Sequence, residues 1–184
     1  AEDNFELGYK DAEILTENDV AVVISASGNP KYLLGVLQRA EDVNCKTIGI
    51  TCNSKGKIAE EAGLVICAEV GPEVIAGSSR LKAGTATKMI LNMLTTGSMI
   101  KIGKTYENFM IDLKATNEKL KDRAIRIVAE IAATPHSVAL LKCDWEIKTA
   151  IVSILMKIEP DKARLELKKH GGVLRKLLKT YQTV

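Results

Sequence analysis

The spacing of apolar residues changes along the chain, and each change marks an element. Residues 20–27, VAVVISAS, are almost wholly apolar and rich in Val and Ile, which predicts a strand buried on both faces. The turn signal SGNP ends it. From Lys31 the period lengthens, and Leu33, Leu34, Leu37 and Ala40 fall on one helical stripe over residues 31–43. KTIGIT is a second short strand stopped by CNS. Residues 55–62 read as a short helix with Ile58, Ala59 and Ala62 inward, and LVICAEV is a third strand closed by GP. A short helix is expected over residues 2–12, ahead of the first strand. Strand, helix, strand, helix, strand implies parallel pairing through crossover helices. Three strands make a narrow sheet, so the chain is expected either to pair its sheet edge with another chain or to lack an N-terminal half.

Beyond the third strand the pattern stays helical. A helix over about 79–100 sets Ala86, Ile90, Met93, Gly97 and Ile100 on one stripe, and its small residues Ala83, Gly84 and Ala86 would let it press close to the sheet. Residues 106–133 read as a further helix, with Phe109, Leu113, Leu120 and Ile127 roughly in register. TPHS breaks it, with Thr134 or Ser137 as the cap of the next helix, and short helices follow to the C-terminus with a GG break. The division expected is residues 1–120 as the α/β part and 121–184 as a small helical bundle.

Composition narrows the function. Hydrophobic residues make up 46% of the 184, enough for a real core, while aromatics are 4%, too few to stack single-stranded nucleic acid. The formal charge of +3 selects no partner, and acids interleave the basic C-terminal stretch KARLELKKHGGVLRKLLK, as on a solvated helix face. Cys45, Cys52, Cys67 and Cys143 have no C-x-x-C spacing, and His136 and His170 are the only histidines. No zinc site and no disulfide framework is expected, and reduced thiols fit a cytoplasmic protein. No apolar run reaches the roughly 20 residues of a membrane span.

Chemistry collects at the strand ends. Ser25, Ser27 and Asn29 follow the first strand, Asn53 and Ser54 the second, Ser78 and Ser79 the third. In a parallel sheet these ends share one edge, where ligands of open α/β sheets bind. Helix N-termini there present N–H groups and partial positive charge, and with Arg80 or Lys82 they would suit a phosphate. Each serine read alone is a helix cap or turn residue, and so is Glu73; only the convergence of three corners argues for a site.

The stretch GPEVIAGSSRLKAGTATKMILNMLTTGSMIKIGKTYENFMIDLKATNEKL, residues 71–120, resembles the N-acetylmuramic acid 6-phosphate etherases of the sugar isomerase (SIS) domain superfamily. KTIGITCN, IKTAIVSILM and HGGVLRKLL extend the resemblance over nearly the whole chain. It implies a three-layer αβα fold with a parallel sheet, of which this chain holds the C-terminal part, followed by a small helical region. It also implies a homodimer without metal or cofactor that acts on a phosphorylated amino sugar during cell-wall recycling, as a lyase releasing D-lactate and N-acetylglucosamine 6-phosphate. The family's proton-transfer glutamate in G-A-E-D falls on Glu2, within AED. Its other glutamate has no counterpart, so the isolated chain is expected to be N-terminally truncated and inactive. The family's A-S-G-R-T-P-Y loop reads ASGNPKY here, keeping Ser27 and Gly28 and replacing a threonine by Pro30. Ser25, Ser27, Gly28, Glu73, Ser78 and Ser79 are the implied substrate and phosphate ligands. The related glucokinase regulatory protein shares GSSR-K-G-ATK, so a sugar-phosphate-binding regulator is the alternative, and an SIS-type sugar-phosphate isomerase the third reading.

Overall fold

The computed structural model describes residues 1–133 and 137–182, so the candidate cap Thr134 and His136 lie outside the described residues. The chain falls into two compact units, residues 1–93 and 94–184. The divide thus precedes the 120/121 boundary expected from sequence.

In the first unit, α1 (Phe5–Asp11) starts where the Asn4 side chain accepts the Leu7 N–H at 3.0 Å. Strands β1 (Val20–Ser25), β2 (Lys46–Thr51) and β3 (Leu64–Cys67) form a parallel sheet in the order β1-β2-β3, with Val22 beside Ile48 and Ile48 beside Leu64. The crossovers are α2 (Lys31–Asp42) and α3 (Lys57–Glu61). Both lie on one face, where Val23, Leu34, Leu37 and Ile58 form a single buried cluster. The strand expected to be buried on both faces is therefore buried on one: Ala21 and Val23 are covered, whereas Val20, Val22 and Ile24 are 52%, 44% and 39% exposed. A continuous apolar run marks a strand whose second face is meant to be covered; this unit covers only part of that face.

Helices α1 and α2 meet through glycine. A Cβ on Gly8 would stand 1.9 Å from the Tyr32 carbonyl oxygen, and one on Gly35 would stand 2.1 Å from that of Phe5. Only backbone against backbone fits there. Helix α4 (Lys82–Lys101) starts three residues later than expected, and two of its glycines have no close neighbour. Gly84 has only the Ser79 carbonyl near its would-be Cβ, at 3.6 Å, and Gly97 has nothing within 4 Å among the described residues. Ala83 and Ile90 are buried, but Met93 of the expected stripe is 63% exposed.

The second unit begins with a hairpin rather than the expected helix. β4 (Thr105–Tyr106) and β5 (Phe109–Met110) pair antiparallel around Glu107, whose φ of 50° turns the chain back. The Lys104 ammonium pairs with Asp112 across the base of the hairpin. The helix starts only at α5 (Glu118–Ala132), capped by Asn117, whose side chain accepts the Leu120 N–H at 2.9 Å. Then come α6 (Ser137–Lys142), α7 (Ile147–Met156), α8 (Pro160–Lys169) and α9 (Leu174–Gln182). Their core includes Ala124, Val128, Leu140, Ala150, Ile151 and Leu177. Trp145, read from sequence as core, packs against this cluster while its ring carries the Lys121 ammonium at 5.0 Å. No helix among the described residues is long and apolar enough to cross a membrane.

Replacing Gly35 with Ala is expected to lower the unfolding free energy by about 1–3 kcal/mol, as overpacking does, when read by urea denaturation. An unchanged midpoint would mean that α1 and α2 are free to separate.

Candidate functional site

The corners after β1 and β2 are built as one piece. Gly28 has φ 75°, and a Cβ there would meet Thr51 Oγ1 at 2.9 Å and Gly56 Cα at 3.1 Å. A Cβ on Gly56 would in turn meet Gly28 Cα at 2.9 Å and the Ser27 carbonyl oxygen at 3.0 Å. Two glycine backbones are thus pressed together, and Gly28 serves loop packing. Around this contact the Ser27 carbonyl accepts from Asn53 Nδ2 at 2.9 Å and from Asn29 Nδ2 at 3.2 Å. The first two N–H groups of α3 are also taken: Lys57 N donates to Asn29 Oδ1 at 3.0 Å and Ile58 N to the Gly28 carbonyl at 2.9 Å.

This pinned corner aims hydroxyls outward. Ser25 Oγ accepts the Gly28 N–H at 3.2 Å and lies 3.3 Å from Ser27 Oγ. Two hydroxyls carry two hydrogens; one is spent between them, and one remains for a ligand. The second corner offers less. Asn53 is committed to Ser27 and to the Lys55 N–H, and the Ser54 hydroxyl donates to Glu69.

Glu2 reaches the same edge from the N-terminus. Its carbonyl accepts the Tyr32 N–H at 3.1 Å, at the start of α2. A hollow of about 430 Å³ then collects Glu2, Ser25, Ser27, Cys52, Glu73 and Ser79 on its wall, with Val70, Gly71, Pro72 and Gly77 from one loop. Four of the residues singled out in sequence for binding and the proposed base Glu2 meet there, although they lie up to 77 positions apart in the chain (79 − 2). Gly28 stands behind this wall. Ser78 does not line it: its N–H donates to the Ile75 carbonyl at 3.0 Å and its carbonyl accepts from Leu81, which makes it a turn residue. Arg80 and Lys82 do not line it either; they border a separate depression with Thr85 and Met89. The hollow therefore carries two carboxylates and no cationic side chain among its described lining.

Glu73 has a specific occupation. Its two carboxylate oxygens accept the N–H groups of Lys82 and Ala83, each at 3.0 Å, which closes the first turn of α4. The Ala83 and Lys82 N–H groups hold its carboxyl below the ordinary 4.5. The cap reading of Glu73 describes what the carboxylate does here. The next two N–H groups, of Gly84 and Thr85, bond to the Ser79 and Leu81 carbonyls. The start of α4 is thus satisfied from within.

Cys52 was not singled out in sequence, although its position directly after β2 is the signal that places it on this edge. Burial pushes its thiol up; a hydrogen bond with Thr87 opposes this and the Glu73 charge adds to it. A neutral thiol is a weak nucleophile. Asn29, Asn53 and Gly56 were also underweighted, because their work is to hold the corner and not to touch a ligand. Among the described residues no group of three or more His, Cys, Asp and Glu is placed to hold a metal.

A parallel α/β sheet with a hydroxyl-lined hollow at the carboxyl ends of its strands defines the class of binding fold. The SIS domain family matches residues 2–97, half of the chain, and the chain belongs to that family. Proteins of Yersinia pestis and Yersinia pseudotuberculosis named N-acetylmuramic acid 6-phosphate etherase are 45% identical to it over 183 residues. The match covers 97% of this chain, and the chain spans 62% of the length of those curated relatives. A solved glucosamine-6-phosphate deaminase from Thermotoga maritima aligns over 70% of this chain and 37% of its own, at 22% identity and a TM-score of 0.43.

Because the folded Glu73 carboxyl lies below its unfolded value, its cap is fully present above pH about 4.5 and is lost as the pH falls through the lowered value. Amide exchange at Lys82 and Ala83, corrected for intrinsic rate, is expected to stay protected down to that ordinary range and to lose protection only below it. Loss of protection already near neutral pH would show that the carboxylate does not hold the turn.

Proposed function

We propose that the hollow binds a phosphorylated amino sugar and that the protein is an N-acetylmuramic acid 6-phosphate etherase, a cytoplasmic carbon–oxygen lyase. The observation that carries this reading is the gathering of Glu2, Ser25, Ser27 and Ser79 around one hollow. Relatives 45% identical that bear the etherase name support it. The phosphate lies against the Ser25–Ser27 corner, where a hydroxyl hydrogen is unspent, and against Ser79. With no cation in the lining, its grip comes from hydroxyl and N–H donors and not from ion pairing.

The chemistry follows from the substrate. In the open-chain sugar the C2 proton is acidic because it lies beside the C1 aldehyde. Glu2, exposed on the wall, takes that proton; the C3–O bond to the lactyl group breaks, and the lactate oxygen is protonated as it leaves. Water then adds across C2=C3, hydroxyl to C3 and proton to C2, giving N-acetylglucosamine 6-phosphate and D-lactate. Glu2 returns its proton to C2 in the second half, and the water's other proton goes to the group that protonated the lactate oxygen. Glu73, held ionised by its two N–H donors, has no proton to give there, so that second donor is a different residue.

Self-association is part of the proposal. Helix α4 exposes Met89 and Met93, at 54% and 63%, and leaves Gly97 open on the same side, the surface of a helix that packs on a second copy. Four unbridged cysteines accord with a reducing compartment. The single uncommitted carboxylate in the hollow keeps one other reading in play, a sugar-phosphate sensor that binds without cleaving.

The full gene product, given N-acetylmuramic acid 6-phosphate, is expected to release D-lactate, and Glu2→Gln to lower kcat by roughly 10²–10⁴ while N-acetylglucosamine 6-phosphate still binds. Tight binding of that sugar phosphate with no lactate from the unaltered protein would select the sensor and reject the lyase.

A further inference from the structure

The hollow holds two carboxylates, and their surroundings divide their duties. Glu2 sits on an exposed turn and is held through its backbone carbonyl, and its side chain makes no hydrogen bond among the described residues. Glu73 is committed at both oxygens, to N–H groups nine and ten residues further along the chain. Taking up a proton would make both oxygens poorer acceptors for those N–H groups, so proton transfer and helix capping oppose each other.

What the cap secures is a wall. Val70, Gly71, Pro72, Glu73, Gly77 and Ser79 all lie on the loop between β3 and α4, and all line the hollow. This loop is otherwise weakly held. Gly71 and Gly77 have φ of 69° and 77°, with open space where a Cβ would stand. Val74 and Ile75 are 91% and 61% exposed, so its tip buries little. The backbone bonds from Ser78 to Ile75, Ser79 to Gly77 and Leu81 to Ser78 stay inside the loop. At its start, Ala68 N donates to the Thr51 carbonyl at 2.9 Å. Past that anchor Ser54 donates to Glu69, and Gly84 N and Thr85 N of α4 bond to the Ser79 and Leu81 carbonyls at the loop's end; for the stretch 70–77 between them, the Glu73 carboxylate is the tie to α4 among the hydrogen bonds of the described residues.

We propose that Glu73 is a positioning residue: it staples the 70–77 stretch of the β3–α4 loop to the first turn of α4 and so fixes the part of the hollow's wall formed by Val70, Gly71, Pro72 and Gly77. The proposal rests on the reading of this hollow as a sugar-phosphate site. It assigns Glu73 neither a substrate contact nor a proton. The preference for Glu over its neighbours is geometric, because a side chain of this length, two oxygens wide, reaches two successive N–H groups from outside the helix. The amide of Gln keeps one acceptor oxygen of the two, and Ala keeps none.

The test compares Glu73→Gln and Glu73→Ala with the unaltered full gene product, using N-acetylmuramic acid 6-phosphate for turnover and N-acetylglucosamine 6-phosphate for binding. Glu73→Ala is expected to raise KM and Kd roughly tenfold, the weight of two lost cap bonds. Glu73→Gln should fall between the two, with kcat lowered less than about threefold. Amide exchange across residues 71–83 should quicken in Glu73→Ala, while exchange in the helical unit stays as it was. A fall in kcat of about 10²-fold or more in Glu73→Gln at unchanged KM would make Glu73 a proton-transfer group and overturn the proposal. If the unaltered protein releases no lactate, the etherase reading fails separately, and sugar-phosphate affinity and amide exchange still decide. Unchanged exchange at Lys82 and Ala83 in Glu73→Ala would overturn the staple on its own.

Discussion

The site depends on one close approach, the backbone of Gly28 against that of Gly56. Nothing larger than hydrogen fits at either position, since each would-be Cβ lands within about 3 Å of the other residue's backbone. That contact lets the Ser27 carbonyl receive two amide donors and lets Asn29 and the Gly28 carbonyl take the leading N–H groups of α3. Once this is in place the Ser25–Gly28 turn has no freedom left, and its hydroxyls face the one direction that packing leaves open. Preorganised donors of this kind need no rearrangement when a ligand arrives, and the proposed phosphate site relies on them in place of a neighbouring cation.

A second carboxylate then organises the other side. The start of a helix is a natural seat for an anion, but here the protein seats its own. Glu73 satisfies the α4 N-terminus, and the hollow is left with hydroxyls on two walls and Glu2 between them. Under the proposed reading this arrangement keeps phosphate attraction and basicity apart: Glu2 is left for the proton, and the Glu73 charge is spent on the first turn of α4.

Much of the first unit was legible because its signals are local. The Val and Ile runs gave the three strands, and the spacing of Leu34, Leu37 and Ala40 gave the buried stripe of α2. The edge position of Ser25, Ser27 and Ser79 was expected from parallel topology, whereas Glu2 was singled out only through the family resemblance. What sequence concealed was tertiary. The Glu73 cap joins residues nine apart, so the helix was expected to begin at its serines and begins at Lys82 instead. The hairpin around Glu107 hid inside an apolar pattern that also fits a helix, and the cross-pair of Lys104 with Asp112 has no short-range signature. The outer face of β1 looked like core because its residues are apolar, yet burial belongs to whatever packs there, and composition does not name it.

The most direct measurement is a titration of the protein with N-acetylglucosamine 6-phosphate followed at backbone amide resonances. The account expects shifts confined to Ser25–Asn29 and to 71–83, with the amides of α7, α8 and α9 silent. Shifts centred on the helical unit, or none at saturating sugar phosphate, would contradict it.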